Sequence, residues 1–338
     1  MATKEDVSKH GGWRIMTVDV QGGEAPVKGC CVAAGERKEA VATTLEPGAS
    51  RALRDALAAS MMPVPGGFFD MGARKPRYPT DFEGPRRKVF VSPFRIARTS
   101  VTNAMFARFV EESGYRTIAE TEGWSYVFHL FLDRPADFPH SPPGTPWWRQ
   151  VHGADWSAPE GPGSSIEGRE NHPVVHVTWF DAVAFCSFTG LRLPTEAEWE
   201  KAARGGLAHK KFPWGNELEP AGGHRHNVWQ GAFPDLNTRE DGFAGTCPAD
   251  AFPPNGYGLH NMTGNVWEWC WDRFGQAPES RLPLRDPKGP DTGEERVLKG
   301  GSHLCHASYC ERYHVHSRIR NTPDSSTGHT GFRVVADA

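Results

Sequence analysis

The sequence predicts an irregular, loop-rich α+β single domain with low secondary-structure content. Three observations lead there. The 338 residues include 37 Gly, 28 Pro and 12 Trp, a composition in which turns are frequent and large rings must pin irregular backbone. Only three segments combine helical periodicity with start and stop signals. The strand candidates are short and widely spaced, and the long connections between them point to functional or ion-held loops.

The first helix opens at Thr102, which can cap a segment carrying Phe106, Phe109 and Val110 at i, i+3 and i+4, and it closes at Gly114. Thr178 with Asp181 opens a second over Trp179–Thr189, stopped by Gly190. Thr195 with Glu198 forms a capping box for a third, with Trp199 and Ala202 on its buried face and Gly205-Gly206 at its end. Strand candidates are 88–91, 174–177, 266–271, Arg296–Lys299 and 331–335. Residues 1–61 are poor in aromatics, hold one short helix candidate over 51–57, and are expected to be a partly disordered N-terminal extension; residues 62–338 form the domain.

Lys plus Arg is 38 and Asp plus Glu is 41, a net charge of -3 that gives no electrostatic reason to expect nucleic acid or an anionic membrane as partner. No apolar run approaches the roughly 18–20 residues of a membrane span. The first twenty residues mix charges throughout and lack the pattern of a secretory signal, so a cytoplasmic protein is expected. Seven cysteines is an odd number, and in that setting thiols, not a disulfide framework, are the default.

The stretch from Lys299 to Tyr313 places Cys305 and Cys310 five positions apart after Gly300-Gly301. Such a pair is either two small core residues or a soft-metal or redox site. Spacing does not choose between these. A four-ligand zinc site that adds His303 and His306 would crowd one short loop, and it ranks below a two-thiolate site.

The run from Gly300 to Cys310, the run from Asn321 to Ser326, and Gly331-Phe332-Arg333 resemble the signature end of the formylglycine-generating enzymes, also called sulfatase-modifying factors. The segments starting at His172, Arg192, Phe212, Asn227 and Gly264 stand in that family's order, so the resemblance covers residue 62 to the C-terminus. It implies the C-type-lectin-like formylglycine-generating fold. It also implies a copper-dependent, O2-using oxidation of the cysteine in a Cys-x-Pro-x-Arg motif of an unfolded or nascent sulfatase polypeptide, carried out by a monomer.

By the same resemblance, Cys305 and Cys310 would ligate Cu(I), with the substrate thiolate as a third ligand; Ser302 would sit at the pocket and Trp267 would supply an apolar wall. Two calcium sites are implied. One comprises Asn227, Val228, Asp241 and Phe243, the other Asn261, Gly264, Val266 and Glu268, both mixing side-chain and backbone oxygens as calcium requires; Asx-turns are the plain alternative. His314 and His316 depart from the family's usual residues, which bears on peptide binding. Cys186 is expected to be buried and unpaired, and Cys30 and Cys31 receive no site. The competing functions are a non-catalytic protein-binding paralogue of the same fold, which typically lacks the thiol pair, and an oxygenase acting on a small thiol.

Overall fold

The computed structural model describes residues 44–278, 280 and 282–338. Cys30, Cys31 and most of the expected extension therefore lie outside the described residues. In chain order the helices are α1 (Arg51–Ser60), α2 (Asn103–Ser113), α3 (Ile118–Glu122), α4 (Trp179–Thr189) and α5 (Glu196–Arg204). The strands are β1 (Met61–Val64), β2 (Gly67–Met71), β3 (Arg87–Val91), β4 (Phe94–Ala97), β5 (Trp124–Phe128), β6 (Trp148–His152), β7 (Gly231–Ala232), β8 (Leu236–Asn237), β9 (Trp267–Arg273), β10 (Leu284–Arg285), β11 (Arg296–Lys299), β12 (Arg318–Asn321), β13 (Thr330–Gly331) and β14 (Val335–Asp337). They form small sheets in the orders β1-β4-β14, β10-β3-β2, β12-β11-β9-β13, β5-β6 and β7-β8.

All three expected helices form with the expected caps. Thr178 and Thr195 each accept from a backbone N–H three residues on and sit in complete capping boxes with Asp181 and Glu198. Each such cap stabilises its helix by about 1 kcal/mol. Residues 51–60, which composition groups with the extension, pack on the domain instead: Leu53 and Leu57 are buried, and the chain runs directly into β1.

Two strand expectations change. Residues 174–177 are extended, with Val174 N–H donating to Val101 O, but His176 adopts φ 60°, and that left-handed residue breaks the run before a ladder can form. The 331–335 candidate splits. Thr330 and Gly331 pair with β9 while Val335 pairs with β4, so Phe332, Arg333 and Val334 carry the chain, fully buried, from one sheet to another.

The four-stranded sheet places the chemistry. β9 lies between β11 and β13, with Glu268 opposite Lys299 on one side and Gly331 on the other, and Lys299 faces Arg318 on β12. Trp267 and Trp269 of β9 enter the core built on Phe106, Phe109, Phe185 and Phe332. Cys270 enters a second core built on Val89, Ile96, Trp199 and Val297. The segment joining β11 to β12 carries Cys305 and Cys310.

Candidate active site

The thiol segment leaves β11 through Gly300 and Gly301, at φ 98° and 77°. Any side chain there would be strained, and a Cβ at Gly301 would stand 3.0 Å from the backbone of Tyr313. The fully buried Lys299 then ties both ends of the segment: its ammonium lies 3.3 Å from Glu200 and donates to the His316 carbonyl at 3.2 Å. Within it, Cys305 N–H donates to Ser302 O (2.9 Å) and Cys310 N–H to His306 O (2.7 Å). These turns bring the Cys305 and Cys310 sulfurs to 3.4 Å, well beyond the about 2.0 Å of a disulfide. Both residues are fully buried. Cys310 is in disulfide form, though not with Cys305, so reduction gives a pair of thiols at this spacing.

Around the sulfurs the chain is donor-rich. Ser302 N–H donates to Cys305 Sγ at 3.4 Å, and Trp229 N–H donates to the Cys305 carbonyl at 3.1 Å. Burial, with Glu311 and Cys305 nearby, raises the Tyr313 pKa, so that hydroxyl keeps its proton. The half-buried rings of Trp147, Phe233 and Tyr309 form one aromatic surface, with Tyr309 stacked on Phe233 at 4.8 Å and edge-on to Trp147 at 4.9 Å. Sequence reasoning missed this surface, although Tyr309 stands between the two cysteines.

Ser302 lies at the site as expected, fully buried, its hydroxyl accepting from Leu304 N–H at 3.3 Å. Trp267, the expected wall, is fully buried in β9, as Ser302, Cys305 and Cys310 are in their segment. Among the described residues the Trp267 indole N–H has no partner, and the same is true of the Trp148 and Trp229 indole N–H and of His303 and His329 Nε2, all buried. Buried polar atoms are nearly always paired, so these nitrogens have hydrogen-bonding capacity to spare beside the thiol segment.

The four-ligand zinc arrangement is not formed. His303 Nδ1 bonds to Asn265 O at 2.9 Å, and His306 Nδ1 to Ser308 Oγ at 2.8 Å. Among the described residues no three His, Cys, Asp or Glu side chains converge to hold a metal ion. Burial pushes the His303 pKa down to about 4, so its ring is neutral near pH 7. Copper fits the pair that is present. Thiolates are soft donors, and a metal–thiolate bond of about 2.3 Å, as zinc makes, lets two sulfurs 3.4 Å apart reach one ion.

The two expected calcium clusters part company. In the first, Asp241 is drawn against Val228, Gln230 and Phe243; its Oδ1 accepts from Phe243 N–H at 3.0 Å, while its Oδ2 is buried without a partner. Burial raises its pKa, the state a cation would reverse. Asn227 precedes Val228 and donates its amide to Gly245 O at 2.8 Å. That donor set suits calcium.

The second cluster does not fit. Glu268 Oε1 accepts from Ser100 (2.9 Å) and Arg333 Nη2 (2.8 Å), and Oε2 from Trp199 Nε1 (2.6 Å) and Arg333 Nε (2.7 Å). A carboxylate offers about four acceptor positions, and all four are used. The expected calcium ligand is instead the anion of a buried ion pair. Asn261 retains an unpartnered buried Oδ1, but its amide is engaged by the Pro248 and Ala249 carbonyls, and Gly264 and Val266 gain no free carboxylate beside them.

Cys186, Cys247 and Cys270 are buried free thiols, and burial raises the pKa of each. They are inert core residues. His314 and His316 stack on each other at 5.3 Å, His314 against Phe212.

Comparison with known proteins agrees with this geometry. A family model described as sulfatase-modifying factor enzyme 1-like domain matches residues 49–338. A Thermomonospora curvata protein named formylglycine-generating enzyme is 56% identical over 291 residues, which cover 83% of this chain and 94% of that one. A Mus musculus protein named inactive Cα-formylglycine-generating enzyme 2 is 44% identical over 283 residues, covering 82% and 86%. Among solved structures, PvdO from Pseudomonas aeruginosa shares the fold at a TM-score of 0.57 and 23% identity, over 82% of this chain and 94% of that one.

Proposed function

The chain belongs to the sulfatase-modifying factor family, and from that premise we propose that it is a formylglycine-generating enzyme, an oxidoreductase converting a cysteine of a sulfatase polypeptide into Cα-formylglycine. The observation that carries the reading is the pair of buried sulfurs, Cys305 and Cys310, 3.4 Å apart on a segment clipped at both ends. Copper bound by their thiolates would supply one-electron exchange with dioxygen.

The chain's own residues do the remainder. The Ser302 N–H stabilises the Cys305 thiolate. The surrounding core excludes bulk water, which strengthens every electrostatic interaction at the sulfurs. The Trp147, Phe233 and Tyr309 surface, adjoining Cys310, receives the proline that follows the target cysteine in an extended Cys-x-Pro-x-Arg segment. Both thiols come from one segment of one chain, so a monomer suffices. A single calcium held by Asn227, Val228, Asp241 and Phe243 steadies the loop that bonds to Cys305 through Trp229, and this reading rests on the orphaned Asp241 oxygen.

The test is incubation of reduced, Cu(I)-loaded protein with a Cys-x-Pro-x-Arg peptide and a thiol reductant under air, read by mass spectrometry. The expected product has lost sulfur, gained one oxygen at the cysteine and become reactive to a hydrazide. An untouched peptide with Cys305-dependent oxidation of a small thiol would make the protein a small-thiol oxygenase. No reaction with either would make it a binding paralogue.

A further inference from the structure

A cavity of about 320 Å³ touches the thiol segment at His303 and is lined also by Phe128, Phe131, Glu160, Arg169 and Gly245. That volume lies at the small end of ligand sites. Its inner end is His303, only 1% exposed and two residues before Cys305. Because a carbonyl can only accept, the His303 Nδ1 contact with Asn265 O at 2.9 Å puts the ring hydrogen on Nδ1. Nε2 is then a bare acceptor, and it has no partner. A ligand seated here must bring a hydrogen-bond donor to it.

The outer end is a zwitterion matched to a zwitterion. Arg169 and Glu160 pair through two bonds, 2.6 and 2.8 Å, with side chains 30% and 28% exposed. Arg169 also donates to Ser165 O, which leaves two of its five N–H groups unused, while the carboxylate keeps two acceptor positions. An α-amino acid headgroup can add to this pair from outside, its carboxylate on Arg169 and its ammonium on Glu160. Between the two ends Phe128, Phe131 and Val175 supply apolar wall, with His176 and Thr246 also on the lining.

We propose that this cavity binds the low-molecular-weight thiol that supplies reducing equivalents, a cysteine-like amino thiol whose headgroup rests on the Glu160–Arg169 pair and whose S–H donates to His303 Nε2. The inference deepens the function proposed above and rests on it. That reaction has an electron requirement: one substrate thiol, one O2 and two reductant thiols give one aldehyde, one hydrogen sulfide, one water and one reductant disulfide. The S–S bond forms between two reductant molecules, whose two electrons and two protons complete the reduction of dioxygen. The cavity places the first of them one side-chain layer from Cys305, since Phe128 packs on Trp229 at 5.6 Å and Trp229 bonds to the Cys305 carbonyl.

The experiment measures initial rates of formylglycine formation by the wild-type protein against the concentration of L-cysteine or of dithiothreitol, each with and without L-serine. Serine keeps the headgroup and an O–H donor but cannot reduce. The expected result is a rate that saturates with cysteine, an apparent KM for cysteine raised several-fold by serine, and a dithiothreitol-driven rate that serine leaves unchanged. Arg169→Gln should raise the KM for cysteine about tenfold, corresponding to about 1.4 kcal/mol, and His303→Phe should raise it likewise. A rate linear in cysteine and indifferent to serine would overturn the inference while dithiothreitol-driven turnover upheld the enzyme; absence of turnover with either reductant would sink the function itself.

Discussion

Two buried polar regions flank β9, and they are finished in opposite ways. On the Glu268 side the buried charges are all bonded. Four donors saturate the carboxylate, Arg333 adds bonds to the Ala97 and His260 carbonyls, and Lys299, Glu200 and Arg204 close a neighbouring network. On the thiol side, five buried ring nitrogens, from Trp148, Trp229, Trp267, His303 and His329, have no protein partner, and two sulfurs sit in contact without a bond between them. The first region is scaffold, in which a buried charge is tolerable because it is saturated. The second keeps unused hydrogen-bonding chemistry beside the paired sulfurs, and buried groups left unbonded are where reactions and ligands belong.

That contrast can be broken by mutation. In the reduced protein, Cys305→Ala or Cys310→Ala should lower peptide conversion to background while costing only about 1 kcal/mol of stability, read by product mass and by the denaturation midpoint. Glu268→Gln should do the reverse. Leaving Arg333 buried without its anion should cost about 3–5 kcal/mol, and whatever fraction stays folded should still bind copper. A chelated protein that loses thermal stability, with Asp241→Asn insensitive to added calcium, would place one calcium on the thiol side; saturation at a hundred times Kd contributes about 2.7 kcal/mol.

A last effect is on pH. Burial, reinforced by Glu196, pushes the Asp272 pKa up to about 8. Between about pH 4 and 8 the unfolded chain has released a proton that the folded chain still holds, so this group's contribution to stability falls as pH rises through that window. The slope is at most about 1.4 kcal/mol per pH unit. Asp272→Asn should flatten the profile, because an amide oxygen can still accept the Glu196 N–H now bound at 2.8 Å. A profile unchanged by the substitution would show that the Asp272 proton is not the source of the slope.

How much of this is legible in the sequence depends on range. The caps at Thr102, Thr178 and Thr195 are local chemistry, written within four residues, and they form as read. The thiol pair is legible for the same reason. Glu268 reads correctly as a carboxylate that cannot be buried alone, but its cation stands 65 positions away at Arg333, beyond any local pattern, and calcium takes its place in a sequence reading. Trp267 reads as a wall of the site, and its burial is set by strand pairing on both sides of β9, which no local pattern shows. The aromatic surface of Trp147, Phe233 and Tyr309 joins three loops, so no spacing announces it.

The most direct measurement of the central claim is titration of the reduced protein with Cu(I), followed through thiolate-to-metal charge transfer and copper K-edge absorption. One equivalent should saturate the wild-type protein, with two sulfur ligands, and the signal should vanish in both Cys310→Ala and Cys305→Ala while Glu268→Gln retains it. Unchanged copper stoichiometry in the cysteine variants would contradict the account, because the paired sulfurs would then be core residues and the reaction centre would lie elsewhere.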